Sequence, residues 1–182
     1  AFSSIAHAGF LLATVLGLNG PSLAAALFYL VTYGFTTLGA FGVVTLVRDA
    51  SGEVTDLNRW VGLGKKAPLT AAVFTLFLLS FAGIPLTAGF IGKFGVFAGA
   101  YSGGNISVVV VGVLTSAVTA FFYLRVVIMM YFQDPKSDTV SVVIPSFKTR
   151  FAIAISAIVT LVFGVFPGPL MELAANYASF IR

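Results

Sequence analysis

Lys93 is the residue whose chemistry most needs an explanation. It stands in the run Phe90-Ile91-Gly92-Lys93-Phe94-Gly95-Val96, with no acidic neighbour, inside an apolar stretch that runs from Leu69 to Tyr101. An ammonium inside a bilayer costs on the order of a few kcal/mol on insertion scales. Tyr101 suits the headgroup level, which leaves Lys93 about two helical turns inside it. A lysine, unlike an arginine, can exchange its proton when desolvated, so a proton relay competes with snorkelling to the interface. His7 is a second titratable group within an apolar stretch. Ser3, His7 and Thr14 are spaced i, i+4 and i+11, so they share one helical face that could hold a water chain. A histidine titrating near neutrality suits proton shuttling, whereas a neutral histidine hydrogen-bonded between helices is the plainer alternative. Arg125 lies about two turns inside the end of its stretch and either snorkels or pairs, so it is a candidate support for a polar path. Three further sets follow helical small-residue spacing and read as helix-packing faces: Gly112, Ser116, Thr119 and Tyr123; Thr32, Thr36 and Gly39; and Ser156, Thr160 and Gly164.

Other chemistries lack their residues. Cysteine is absent, histidine occurs once and acidic residues number six, so neither a thiolate site nor an internal metal cage is expected. There is no glycine-rich phosphate loop and no nucleophile elbow, and the usual ligands of a redox cofactor are missing. The chemistry left is ion movement, with no metal and no cofactor bound by this chain and the energy supplied elsewhere.

The elements that would hold these groups follow from composition. The chain is 59% hydrophobic and 9% charged over 182 residues, with a mean hydropathy of +1.06. Soluble domains run at about 25% charged, so this chain could not cover a surface in water, whereas lipid asks for such side chains. The net charge of +4 gathers at membrane edges rather than along a groove, so no nucleic acid is expected. Five apolar stretches, 1–18, 23–47, 68–101, 106–132 and 151–181, predict an all-α, polytopic transmembrane bundle forming a single domain. The breaks between them are Asn19-Gly20-Pro21-Ser22, the loop 48–67, Ser102-Gly103-Gly104-Asn105 and the loop 133–150. Ala1 at the edge of an apolar stretch reads as the start of a piece cut from something longer. Phe166-Pro167-Gly168-Pro169 is placed to end the last span, with Glu172 on a short interfacial helix.

The third stretch is too long for one span. Leu69 to Tyr101 is 33 residues, about 50 Å as a straight helix against a hydrocarbon core of about 30 Å. Its centre holds Ala82-Gly83-Ile84-Pro85-Leu86-Thr87-Ala88-Gly89. Proline removes a donor and glycine adds backbone freedom, so a discontinuous helix is predicted, with Gly83, Pro85 and Gly89 in a short unwound loop. Such backbone survives at that depth only if buried in protein or lining a wet cavity, as at transporter ion sites. A kinked packing helix is the alternative. Successive loops alternate sides, which puts 48–67 and 133–150 together with seven of the ten Lys and Arg residues, against Arg182 opposite. The positive-inside rule then makes the basic side cytoplasmic and the C-terminus external.

Four runs resemble one family, the antiporter-like membrane subunits of respiratory complex I, the bacterial NADH:quinone oxidoreductase. Phe2 to Phe10 (FSSIAHAGF) resembles its YSSIAHxGY segment. Leu79 to Phe94 (LSFAGIPLTAGFIGKF) resembles its most recognisable stretch, and Tyr33 to Gly42 and Phe122 to Val126 match two further blocks. The resemblance covers nearly the whole chain and implies the C-terminal part of a fourteen-helix subunit of the bacterial inner membrane, in which 68–101 is the second of two broken helices. It implies proton translocation coupled to electron transfer elsewhere, with Lys93 at the terminal proton-exchange position and His7 on the polar axis. It also implies a missing N-terminal part and other membrane subunits as partners, with NADH, flavin, iron–sulfur and quinone sites mainly in them. A cation/proton antiporter subunit and a membrane subunit of a hydrogenase-type complex share this ancestry and stay open as alternatives.

Overall fold

A computed structural model describes residues 2–14, 16–17, 20–49, 52–54, 56–134 and 141–178. Asn19, Lys136 and Arg182 lie outside the described residues, and with them the question of which side the C-terminus occupies. In lipid a backbone must satisfy its own hydrogen bonds, and the apolar stretches accordingly form helices. Helix α1 covers Phe2–Thr14 and α2 covers Gly20–Val44. A strand β1 (Val47–Asp49), a strand β2 (Gly52–Glu53), a 3₁₀ turn at Leu57–Trp60 and the short α3 (Leu63–Lys66) follow. The third stretch is two helices, α4 (Pro68–Ala82) and α5 (Ala88–Ser102). Then come α6 (Ile106–Phe132), a strand β3 (Ser141–Val142), α7 (Phe147–Val165) and α8 (Gly168–Ala178). Three helices, α2, α6 and α7, are each long and apolar enough to cross a membrane alone, and α4 with α5 divides one further passage between two half-helices.

The boundaries differ from the composition-based ones for identifiable reasons. Gly20, Pro21 and Ser22 form the first turn of α2 rather than a break, because proline's fixed φ and missing N–H suit that position. Helix α7 starts at Phe147, where the Ser146 side chain accepts from the Thr149 amide, so Lys148 and Arg150 are helical. The last stretch is split at Phe166-Pro167, and Glu172 falls on the exposed side of α8. Strands of two or three residues carry no alternating pattern to read, so the sheet β2-β1-β3 is invisible in the sequence. That sheet joins the two basic loops: β1 pairs with β3 at Val47↔Val142 and Arg48↔Ser141. Lys65 on α3 also meets Asp134 at 2.5 Å, and this pair lowers the carboxyl's pKa through its hydrogen bond and charge.

Helix α2 is the spine. Along it, Ser22, Ala25 and Tyr29 lie against Gly99, Gly95 and Gly92 of α5. On another side Gly42 meets Ile153, Thr36 meets Thr160, and Ala24 packs with Ala174 and Ala178. Helices α7 and α8 therefore run antiparallel to α2 in nearly continuous register, end to end. The largest apolar cluster sits at the basic end, where Val43, Val47, Trp60, Phe74, Phe77 and Met130 are buried together. A second cluster at mid-depth centres on Phe10, Tyr29 and Val96.

Candidate functional site

The site is built from the interruption between α4 and α5. Helix α4 ends on Gly83, whose φ of 78° suits glycine, and its last four carbonyls can be accounted for one by one. The Ile84 amide donates to Leu79 O at 3.0 Å and the Gly83 amide to Ser80 O at 3.0 Å, the two bonds of a Schellman cap. That leaves the carbonyls of Phe81 and Ala82. Lys93, reaching back from the second turn of α5, donates from Nζ to Phe81 O at 2.8 Å and to Ala82 O at 3.4 Å. Its third partner is Ser116 Oγ on α6, at 3.0 Å. Lys93 is only 4% exposed. No carboxylate is among its partners; the negative end of a half-helix stands in that role, with the charge–dipole sign that favours a cation.

The cap is reciprocal. Ser80 on α4 accepts from the Gly89 amide in the first turn of α5 at 3.2 Å, supplying from another helix the acceptor that Thr87, at the cap position, does not. Gly89 thus lies inside α5 and not in the loop, and glycine is needed there for another reason: a Cβ would run into the Ser80 carbonyl. The loop itself is Gly83–Thr87. The Thr87 amide and hydroxyl both donate to Ile84 O, at 3.3 and 2.7 Å, closing a turn over Pro85 and Leu86. Leu86 takes φ 72° where glycine is usual, with proline before it, as in a type II turn. Pro85 and Leu86 are exposed on the surface of this chain, while Thr87, Ala88 and Gly89 are buried. Helix α7 closes on the loop at Gly164, where a Cβ would meet Leu86 O and the Thr87 backbone.

A second polar group lies on α1. His7 is 3% exposed, and its Nδ1 is hydrogen-bonded with the Tyr29 hydroxyl. Its ring stacks on Tyr33 at 4.5 Å between centroids. Ser3, one turn earlier, pairs with the hydroxyl of Tyr123 on α6. Thr14 does not join them: its hydroxyl donates to Leu11 O of its own helix at 2.6 Å. Arg125 stands on the exposed face of α6, so the fold brings Ser3, His7, Gly83, Gly89 and Lys93 into one region but not Thr14 or Arg125. The residues that sequence reasoning passed over are Ser80, Tyr29 and Tyr33. Ser116, read as packing, is a lysine partner. The stripes Thr32/Thr36/Gly39 and Ser156/Thr160/Gly164 meet through Thr36 Oγ1 and Thr160 Oγ1 at 3.2 Å, with Ser80 Oγ 3.4 Å from Thr36.

Residues 1–119 match the family described as NADH:quinone oxidoreductase/Mrp antiporter, transmembrane. NADH-quinone oxidoreductase subunit N of Rhodococcus opacus (strain B4) is 53% identical over all 182 residues, which amount to 34% of that protein. A chain of respiratory complex I from Thermus thermophilus with bound aureothin has a TM-score of 0.82 at 32% identity, over 96% of this chain and 39% of that one. A chain of the Mrp complex from Dietzia sp. DQ12-45-1b has a TM-score of 0.80 over 98% of this chain and 41% of its own, but at 22% identity the likeness shows the fold alone. The chain spans about a third of the length of the curated relatives it matches.

Proposed function

The chain belongs to the NADH:quinone oxidoreductase/Mrp antiporter transmembrane family, and from that premise we propose that it is part of a proton-translocating membrane subunit of a bacterial NADH:quinone oxidoreductase, with Lys93 as its proton-exchanging group. The observation that carries this reading is the buried ammonium held by three neutral acceptors: two carbonyls freed by the helix break and one serine hydroxyl. A lysine held by a carboxylate would be fixed as a salt bridge; one held by dipoles alone can pass between charged and neutral states as charges nearby change. His7, hydrogen-bonded with Tyr29 beside Tyr33, is the next group along the same path, and Ser3 with Tyr123 extends it toward the basic face.

Electron transfer, and the NADH, flavin, iron–sulfur and quinone sites it needs, belongs in this reading to partner subunits, and the remaining two thirds of the subunit supplies the other half of the path. The subunit sits in the bacterial inner membrane beside other membrane subunits, with the basic loops in the cytoplasm and the C-terminus outside. The relatives at about half identity carry the subunit N name, which favours this reading over a cation/proton antiporter. The test is Lys93→Ala in the full-length parent, with proton pumping by the reconstituted complex measured beside subunit content in the membrane. Pumping should be lost while assembly is retained; Lys93→Arg should be equally poor, because a guanidinium does not readily deprotonate. Normal pumping by Lys93→Ala at normal assembly overturns the assignment.

A further inference from the structure

One aromatic ring touches both titratable groups. Phe10, one turn after His7 on α1, is 6% exposed. Its face is turned to Lys93, with Nζ 5.1 Å from the ring centroid. His7 meets the same ring edge-on, at 5.9 Å and 76°. Phe97 of α5 steadies it from another side, at 5.7 Å and 84°. Phe81 supplies a second wall, its ring 5.5 Å from that of His7 and its carbonyl on Lys93. The hydrogen bonds of Lys93 go to α4 and α6, and that of His7 Nδ1 goes to Tyr29. Among the described residues no hydrogen-bonded link joins His7 to Lys93.

We propose that Phe10 is the barrier of the proton path, a dry ring that separates His7 from Lys93 and admits water only when it swings aside. A phenyl ring neither donates nor accepts a proton, so transfer between the two groups waits for water to replace it, as in hydrophobic constrictions that gate by dewetting. The attraction holding the ring over Lys93 exists only while the amine is charged. The barrier is therefore closed over the ammonium and loosened once the proton has left, which opposes return of a proton along the same route. Room for the movement lies next to it: Ala6, Gly9 and Ala13 of α1 and Gly112 of α6 border a groove of about 430 Å³ that Phe10 itself lines.

The inference rests on the proton-translocation reading above, and its test separates the two. The full-length parent in its assembled complex is reconstituted into liposomes. Protons moved per NADH oxidised are measured, together with passive decay of an imposed pH gradient without NADH, both per unit of assembled complex. Phe10→Ala should raise the passive decay about tenfold, the factor given by a barrier lowered by about 1.4 kcal/mol, and lower the protons per NADH. The added leak should vanish in Phe10→Ala combined with Lys93→Ala, a result that a merely loosened bundle does not give. Should Phe10→Ala fail to assemble, Phe10→Val removes the ring with less lost volume and carries the same expectation. If Lys93→Ala stops pumping yet Phe10→Ala or Phe10→Val leaves leak and stoichiometry unchanged, the barrier is refuted and the relay stands. If Lys93→Ala pumps normally, both fall.

Discussion

Gly89→Ala tests whether the two half-helices hold one another as described. A Cβ at Gly89 would lie 2.7 Å from the Ser80 carbonyl carbon and 2.8 Å from Ser80 Oγ, and the obstacle is backbone, which cannot rotate away. The Ser80 carbonyl oxygen lies nearer still, and ordinary contact begins near 3.4 Å, so the first turn of α5 must retreat by more than about 1 Å. The Gly89 amide, 3.2 Å from Ser80 Oγ, then leaves hydrogen-bond range. Overpacking of this kind costs about 1–3 kcal/mol, and losing the bond about 1 kcal/mol more. Ser80→Ala removes the same bond without the clash, at about 1 kcal/mol. Because the bond can be lost only once, the double variant should cost little more than Gly89→Ala alone, a coupling of about 1 kcal/mol. Equilibrium unfolding of the full-length parent in detergent titrated with SDS measures all three. Wild-type stability for Gly89→Ala, or strict additivity of the two single changes, refutes the reciprocal cap.

The remaining expectations are simpler. In this cysteine-free chain, Asn58→Cys in the basic loop should be labelled by an impermeant reagent only from the cytoplasmic side and Ser107→Cys at the start of α6 only from outside; the reverse pattern inverts the assigned orientation. The pair of Lys65 and Asp134 lowers the folded carboxyl's pKa, so its contribution is present above the unfolded value and fades as pH falls through the folded one. Asp134→Asn should therefore weaken the acid dependence of unfolding while leaving assembly and pumping intact; an unchanged acid limb removes the pair's role.

The membrane class and the break were legible because both rest on quantities a sequence carries directly, namely length, apolarity, and the placing of Gly83 and Pro85. Lys93 stands in that same stretch, and its side chain is buried within the chain. Its partners were not legible, because backbone carbonyls at a helix end have no residue signature. Gly89 shows a different limit: glycine was read as loop freedom, but the fold uses it for close approach of one backbone to another. Gly20, Pro21 and Ser22 carry turn composition yet open a helix, since the residues that suit a turn also suit a helix's first turn. Thr14 shares the face of His7 by spacing, but the bundle covers that face with different neighbours along its length, and at Thr14 the hydroxyl serves its own helix.

The position of Gly164 has a mechanical consequence. It lies against Leu86 and Thr87, so the interruption at Phe166-Pro167 sits beside the one at Gly83–Thr87, at one depth. Two of the helices that flank α2 thus lose their continuous hydrogen-bond ladder in the same layer, while α2 runs through it unbroken. Such a bundle resembles a laminate with a single soft ply. On the basic side of that ply the sheet β2-β1-β3 ties the loops together; on the other side α5 and α8 lean on one shared strut. Shear imposed on the subunit would gather in this layer rather than spread through the stack, and the Lys93 ammonium, bonded across it to the end of α4, would register the displacement directly.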